Sequence, residues 1–112
     1  MTQIGSFQRT RHGYEGRLHT LTLDVQIRLV PAEAGDGENL PDWRIHMSDS
    51  EVGPEIGAGW DRIGEKAGPY ISLLIDCPAL AQPIRANLFK SGEHEGLHHL
   101  LWNRPQRRGD RS

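Results

Sequence analysis

Thr20-Leu-Thr-Leu-Asp-Val-Gln-Ile-Arg-Leu29 decides the fold class. Leu21, Leu23, Val25, Ile27 and Leu29 alternate without error with Thr20, Thr22, Asp24, Gln26 and Arg28. A period of two places every apolar side chain on one face of a strand, whereas a helix would scatter them around its cylinder. Pro31 closes the stretch, because it has no N–H to give to a ladder. One half-buried strand therefore spans 20–29, and the segments around it have to supply its neighbours.

Upstream, Ile4 to Arg9 and Gly13 to Thr20 read as two strands joined at Thr10-Arg11-His12-Gly13, the second running on into the long strand with a bend near Gly16. Downstream, residues 31–41 are polar, glycine-rich and bounded by prolines, the composition of a mobile loop. Trp43, Ile45 and Met47 alternate with Arg44, His46 and Ser48 to give another half-buried strand. Val52 to Ile63 follows, with Gly57 and Gly59 marking a bulge or a close backbone approach. Tyr70 to Cys77 puts Ile71, Leu73 and Ile75 on one face. Pro78 to Pro83 is a short connection with room for one helical turn, and Ile84 to Phe89 and Leu97 to Trp102 form the last strands. Seven to eight short strands and no helical-period segment predict an all-β chain: a small curled or closed antiparallel sheet, OB-like or a related barrel.

At 112 residues, residues 1–103 make one β domain, and 104–112, without apolar content, form a disordered basic tail. That tail sets Arg104, Arg107, Arg108 and Arg111 against Asp110, a balance of +3. It leaves −5 on the rest of a chain whose net charge is −2. Glu33, Asp36, Glu38 and Asp42 meet no Lys or Arg within 31–42. An acidic body with a basic tail is not the footprint of a protein that grips phosphates with its whole surface, though a tail of arginines supports weak, salt-sensitive contact. No apolar run is long enough to span a membrane, Met1-Thr2-Gln3 lacks the features of a signal peptide, and the single Cys77 fits a reducing compartment. The chain reads as cytoplasmic, with no membrane partner.

One phrase occurs twice. Ile4-Gly5, Phe7, Arg9, a glycine-containing turn and Tyr14 open the chain; Ile56-Gly57, Trp60, Arg62, a glycine-containing turn and Tyr70 repeat the order. Two similar hairpins related by an approximate twofold account for this, each presenting an aromatic and an arginine near its bend.

The run Ile56-Gly-Ala-Gly-Trp60-Asp-Arg62, followed by Gly68-Pro-Tyr70-Ile-Ser72-Leu-Leu-Ile-Asp76, resembles the central signature of the bacterial domain-of-unknown-function family 736. Ile4-Gly5-Ser6-Phe7, Gly13-Tyr14-Glu15-Gly16 and Leu21-Thr22-Leu23 are similar to its opening. Pro83 to Phe89 and Leu101-Trp102-Asn103-Arg104-Pro105 are similar to its ending. The likeness covers roughly 3 to 105. It implies an accessory protein of plasmids and other mobile elements, with no activity attached. Two places depart from the usual pattern: Gly64-Glu65-Lys66-Ala67 replaces a more basic turn, and Asp76-Cys77-Pro78 lacks a second acidic residue.

Candidate chemistry is thin. His94, His98 and His99 with Glu93 and Glu95 are the sharpest metal candidates, but a strand at 97–102 sends His98 and His99 to opposite sides. Cys77 follows Asp76, whose carboxylate raises a thiol's pKa, so a buried structural cysteine is the better reading. Neither a nucleophile elbow nor a P-loop occurs. The expectation is a non-enzymatic protein without metal or cofactor. Single-stranded nucleic acid is the more concrete partner, with Phe7 and Trp60 stacking bases, and Arg9, Arg62 and the tail arginines Arg104, Arg107, Arg108 and Arg111 meeting phosphates. The competing expectation is a protein-interaction or regulatory adaptor without nucleic-acid contact. Trp43 and Trp102, on apolar-patterned strands, are expected in the core.

Overall fold

The computed structural model describes residues 2–33, 35, 37, 39–47, 53–66 and 68–104. The described chain is all-β: β1 (Thr2–Arg9), β2 (Tyr14–His19), β3 (Asp24–Pro31), β4 (Trp43–Met47), β5 (Glu55–Gly64), β6 (Gly68–Ile75), β7 (Ile84–Lys90) and β8 (Leu97–Trp102). Each strand pairs antiparallel with the next, and β8 pairs back onto β1 to close a barrel. The expected closed antiparallel sheet is therefore present as an up-and-down meander. Closure leaves no strand edge unpaired.

An eight-stranded barrel is just wide enough for its own side chains to fill. Here Phe7, Leu18, Ile27, Leu29, Ile45, Leu73, Ile75, Leu88 and Leu100 do so, each essentially without exposure. Burying a side chain of this size contributes about 1.5–3 kcal/mol. Trp43 and Trp102 pack against this core, as expected, and so does Cys77.

The strand read over 20–29 is two elements. Thr20 to Leu23 is a hairpin turn: the Thr20 N–H donates to the Leu23 carbonyl at 2.8 Å, and the Thr20 hydroxyl accepts from the Thr22 and Leu23 N–H groups at 3.3 and 3.1 Å. A threonine hydroxyl that captures local N–H donors competes with the ladder for them. Leu21 therefore stands fully exposed at the turn, while Val25, Ile27 and Leu29 keep the inward phase. Similarly, Pro78 to Pro83 makes a turn, with Leu80 N–H donating to the Cys77 carbonyl at 2.9 Å, and no helix. No helix among the described residues is long and apolar enough to cross a membrane.

The repeated phrase has a structural counterpart in its first two residues. Against β8, β1 slips register between Gln3 and Gly5, so that Ile4 is an extra residue. Against β4, β5 slips between Glu55 and Gly57, and Ile56 is the extra residue. Both Ile-Gly pairs are thus β-bulges with a buried isoleucine, on strands four places apart in a ring of eight. Beyond the bulges the two copies diverge. Phe7 lies two residues after its glycine and faces in; Trp60 lies three after and faces out. In a strand one residue of offset reverses the face.

Candidate nucleic-acid interface

Because side chains alternate across each strand, the pairing registers sort every position into inner or outer face. On β5 to β8 the outer positions form rows. Arg62, Tyr70, Phe89 and His99 make one row, and Trp60, Ser72, Asn87 and Leu101 the next. Ala58, Leu74 and Arg85 make the third. The rings of Tyr70 and Phe89 lie 5.1 Å apart at an interplanar angle of 31°. A hollow of about 140 Å³ beside them is lined by Ser72, Arg85, Asn87, Leu101 and Asn103.

These rows contain no Asp or Glu. The only acidic outward residue on β5 is Glu55, at the strand's start and bound to Arg44 at 3.0 Å. The outer face of β2 to β4 is built differently, with Glu15, Arg17, Asp24, Gln26, Arg28 and Arg44. Its arginines pair as Arg17–Asp24 at 2.6 Å and Arg28–Glu15 at 2.7 Å. Hydrogen bonding to Arg17 holds the Asp24 carboxyl below its ordinary pKa. Among the described residues Arg62 and Arg85 have no such partner, so one half of the barrel exterior is charge-paired. The other is aromatic with unneutralised arginines.

The expected site residues distribute unevenly over this frame. Phe7 is 1% exposed inside the barrel, which corrects its assignment as a stacking platform: a ring enclosed by strands has no free π-face. Arg9 is exposed but inward in phase. Its guanidinium lies 5.1 Å from the centre of the Tyr14 ring and donates to the Tyr14 hydroxyl at 3.2 Å. Trp60 is half-buried on the outer face, and its indole N–H donates to the Asn39 carbonyl at 2.9 Å, which ties the 31–42 loop to the sheet. Arg62 is exposed beside Tyr70. Arg104 is exposed, its guanidinium 5.6 Å from the Trp102 ring centre. Arg107, Arg108 and Arg111 lie outside the described residues. The structure therefore brings Trp60 and Arg62 onto one surface and removes Phe7 and Arg9 from it.

Tyr70 and Phe89 were not among the expected stacking residues, and the signal for them was available. Assigning Ile71, Leu73 and Ile75 inward forces Tyr70, Ser72 and Leu74 outward. The histidines separate as the alternation requires: His98 faces in and His99 out, with His94 in the preceding turn.

The chain is a small closed eight-stranded β-barrel whose exterior carries an aromatic and cationic sector. The chain belongs to the family described as protein of unknown function (DUF736), whose model matches residues 3–105. No curated protein and no solved structure matches the chain.

Proposed function

We propose that the protein is a non-enzymatic accessory module that binds single-stranded nucleic acid weakly across the outer face of β5 to β8. The observation that carries this reading is the acid-free grid in which Arg62 and Arg85 flank Tyr70, Phe89 and Trp60. Single strands are held by aromatic faces that stack bases and by cations that track the backbone, at about 1–3 kcal/mol per stacked base. The hollow beside the rings offers hydroxyl, amide and guanidinium groups where a stacked base would present its edge. Tail arginines would add salt-sensitive contacts. The cytoplasmic setting, and the plasmid and mobile-element association that the family resemblance implies, belong to the same proposal.

The test is a titration of a labelled single-stranded oligonucleotide at low and high salt, with the wild type and a Tyr70→Ala/Phe89→Ala double variant. Binding at low salt that weakens with salt and falls at least tenfold in the double variant is the expected result. An absence of binding at low salt, or an unchanged affinity in the variant, would overturn the reading. Leu74 and Leu101, half-buried beside the rings, favour a protein partner as the second reading. A partner docked on them would bind with little salt dependence.

A further inference from the structure

The inward-facing positions change character at one end of the barrel. Below it they are mainly aliphatic, with Phe7 among them; at the mouth they include Arg9, Tyr14, Trp43, Asp61, Lys90 and His98, contributed by six of the eight strands. Tyr14, Asp61, Lys90 and His98 line an open cavity of about 480 Å³, floored by Ile71 and Leu88 and bounded on its far side by Tyr70 and Ile63, while Arg9 and Trp43 pack against its Tyr14 wall. That volume falls in the range of small-molecule sites, which are apolar clefts with a few convergent polar groups.

Its polar groups are prepared in a definite way. Tyr14 packs edge-on against Trp43 at 5.3 Å and against His98 at 4.9 Å, which fixes an aromatic wall. His98 Nδ1 lies 3.0 Å from the Gly96 carbonyl and so carries the proton as donor, leaving Nε2 as the acceptor of the neutral ring. Asp61 accepts from the Trp43 indole N–H at 2.9 Å. Arg62 and Lys90 line the rim and Arg9 lies over the Tyr14 ring beside it, all three without an ion pair among the described residues, so three cations surround one carboxylate, Asp61. An apolar floor, an aromatic wall and a cationic rim together fit a planar heterocycle that carries one anionic group.

We infer that this mouth is a binding site for a nucleoside monophosphate, free or as the 5′-phosphorylated end of a strand, with the base against the half-buried His98, beside the buried Tyr14 ring, and the phosphate at Lys90 and Arg9. The site adjoins the outer face proposed above, and Arg62 and Tyr70 border both. Its decisive residues, Lys90, Tyr14 and His98, lie on the inner side of their strands.

NMR titration of the full chain with AMP tests it. Expected are shifts centred on Tyr14, Lys90 and His98, at least tenfold weaker binding in Lys90→Ala, and tighter binding in Asp61→Asn, which keeps an acceptor for Trp43 but removes the opposing charge. Arg17→Ala, on the charge-paired face of β2 to β4, should leave AMP binding unchanged. Tighter binding of a 5′-phosphorylated oligonucleotide than of its unphosphorylated form, lost in Lys90→Ala, would identify the strand end as the ligand; equal binding of the two, with AMP still bound at the mouth, would identify the free nucleotide. No shift at millimolar AMP, an unchanged response in Lys90→Ala, or equal binding of adenosine or inorganic phosphate alone would overturn the inference. A strand that still binds through Tyr70 and Phe89 while AMP fails would sink this site and leave the outer-face reading standing.

Discussion

The ring of Phe7 lies directly on Gly16, its partner across the β1–β2 ladder, so closely that a Cβ on Gly16 would clash with the Ser6 carbonyl oxygen and with the ring itself. The glycine is a packing requirement, since only hydrogen leaves room for the aromatic face there. In the second half of the barrel Gly59 on β5 is also confined, but by aliphatic side chains: a Cβ there would lie 2.8 Å from the Leu73 and 3.1 Å from the Ile71 side chain.

Gly16→Ala should therefore destabilise the barrel by about 1–3 kcal/mol, the usual cost of overpacking. Phe7→Ala should cost about 3–5 kcal/mol through the cavity it leaves. Combined, the two should cost clearly less than their sum, because the alanine methyl partly fills the space of the lost ring. Urea denaturation of the four proteins measures this cycle. Strict additivity would mean that the ring and the glycine are not coupled.

Much of this architecture is legible in the chain because strand patterning is a local property. Ile71, Leu73 and Ile75 announce an inward face, and their neighbours, including Tyr70, an outward one. Two features were not readable for physical reasons. The turn at Thr20 to Leu23 keeps an alternating pattern while its hydroxyl breaks the ladder. The mouth gathers Arg9, Asp61, Lys90 and His98 from segments far apart in sequence, and only closure of the ring makes them neighbours. The repeated phrase misleads for a third reason: its copies differ by one residue in spacing, which hides a reversal of face within an apparent repeat.

The outer-face arginines make a quantitative prediction about salt. For a single strand, each neutralised phosphate contributes about 0.7 to the slope of log affinity against log salt. If Arg62 and Arg85 each meet one phosphate, replacing both with alanine should lower the slope by about 1.4. Both are exposed, so the fold should be unaffected, with an unchanged thermal midpoint as the control. A slope that does not move would place the phosphates elsewhere.

The Trp60–Asn39 hydrogen bond predicts how the β3–β4 loop is held. Asn39 has φ of +61°, a left-handed conformation that asparagine tolerates and β-branched residues resist. Asn39→Gly should fold normally and keep the bond through its backbone carbonyl, whereas Asn39→Val should strain the loop. Trp60→Phe retains a ring but removes the donor, so amide exchange at Asn39, Leu40 and Asp42 should speed up without loss of the barrel. Equal protection in Trp60→Phe and wild type would show that the loop is held by its other contacts, such as the Asp61 N–H to Asp42 carboxylate bond at 2.8 Å.

His98 predicts a pH dependence whose sign follows from its surroundings. Burial lowers its pKa below the ordinary 6.5, and the charges of Arg9, Lys90 and His99 push the same way, against the Gly96 carbonyl, which favours the protonated ring. Among the described residues Asp61 is the one carboxylate lining the same cavity, and Tyr14 packs edge-on against His98. The folded state thus gives up the proton more readily than the unfolded chain. Between the lowered folded value and 6.5 the unfolded state binds more protons, so stability rises with pH through that window and is lost as pH falls through it. Below the folded value both states are protonated and the loss levels off. His98→Gln should shrink the difference between the urea midpoints at pH 5 and pH 7.5, and an NMR titration of the wild type should find His98 titrating below 6.5. Bound AMP should move that titration upward, because a phosphate beside the ring favours imidazolium. A His98 that titrates at or above 6.5 in the free protein would contradict a neutral ring in the mouth.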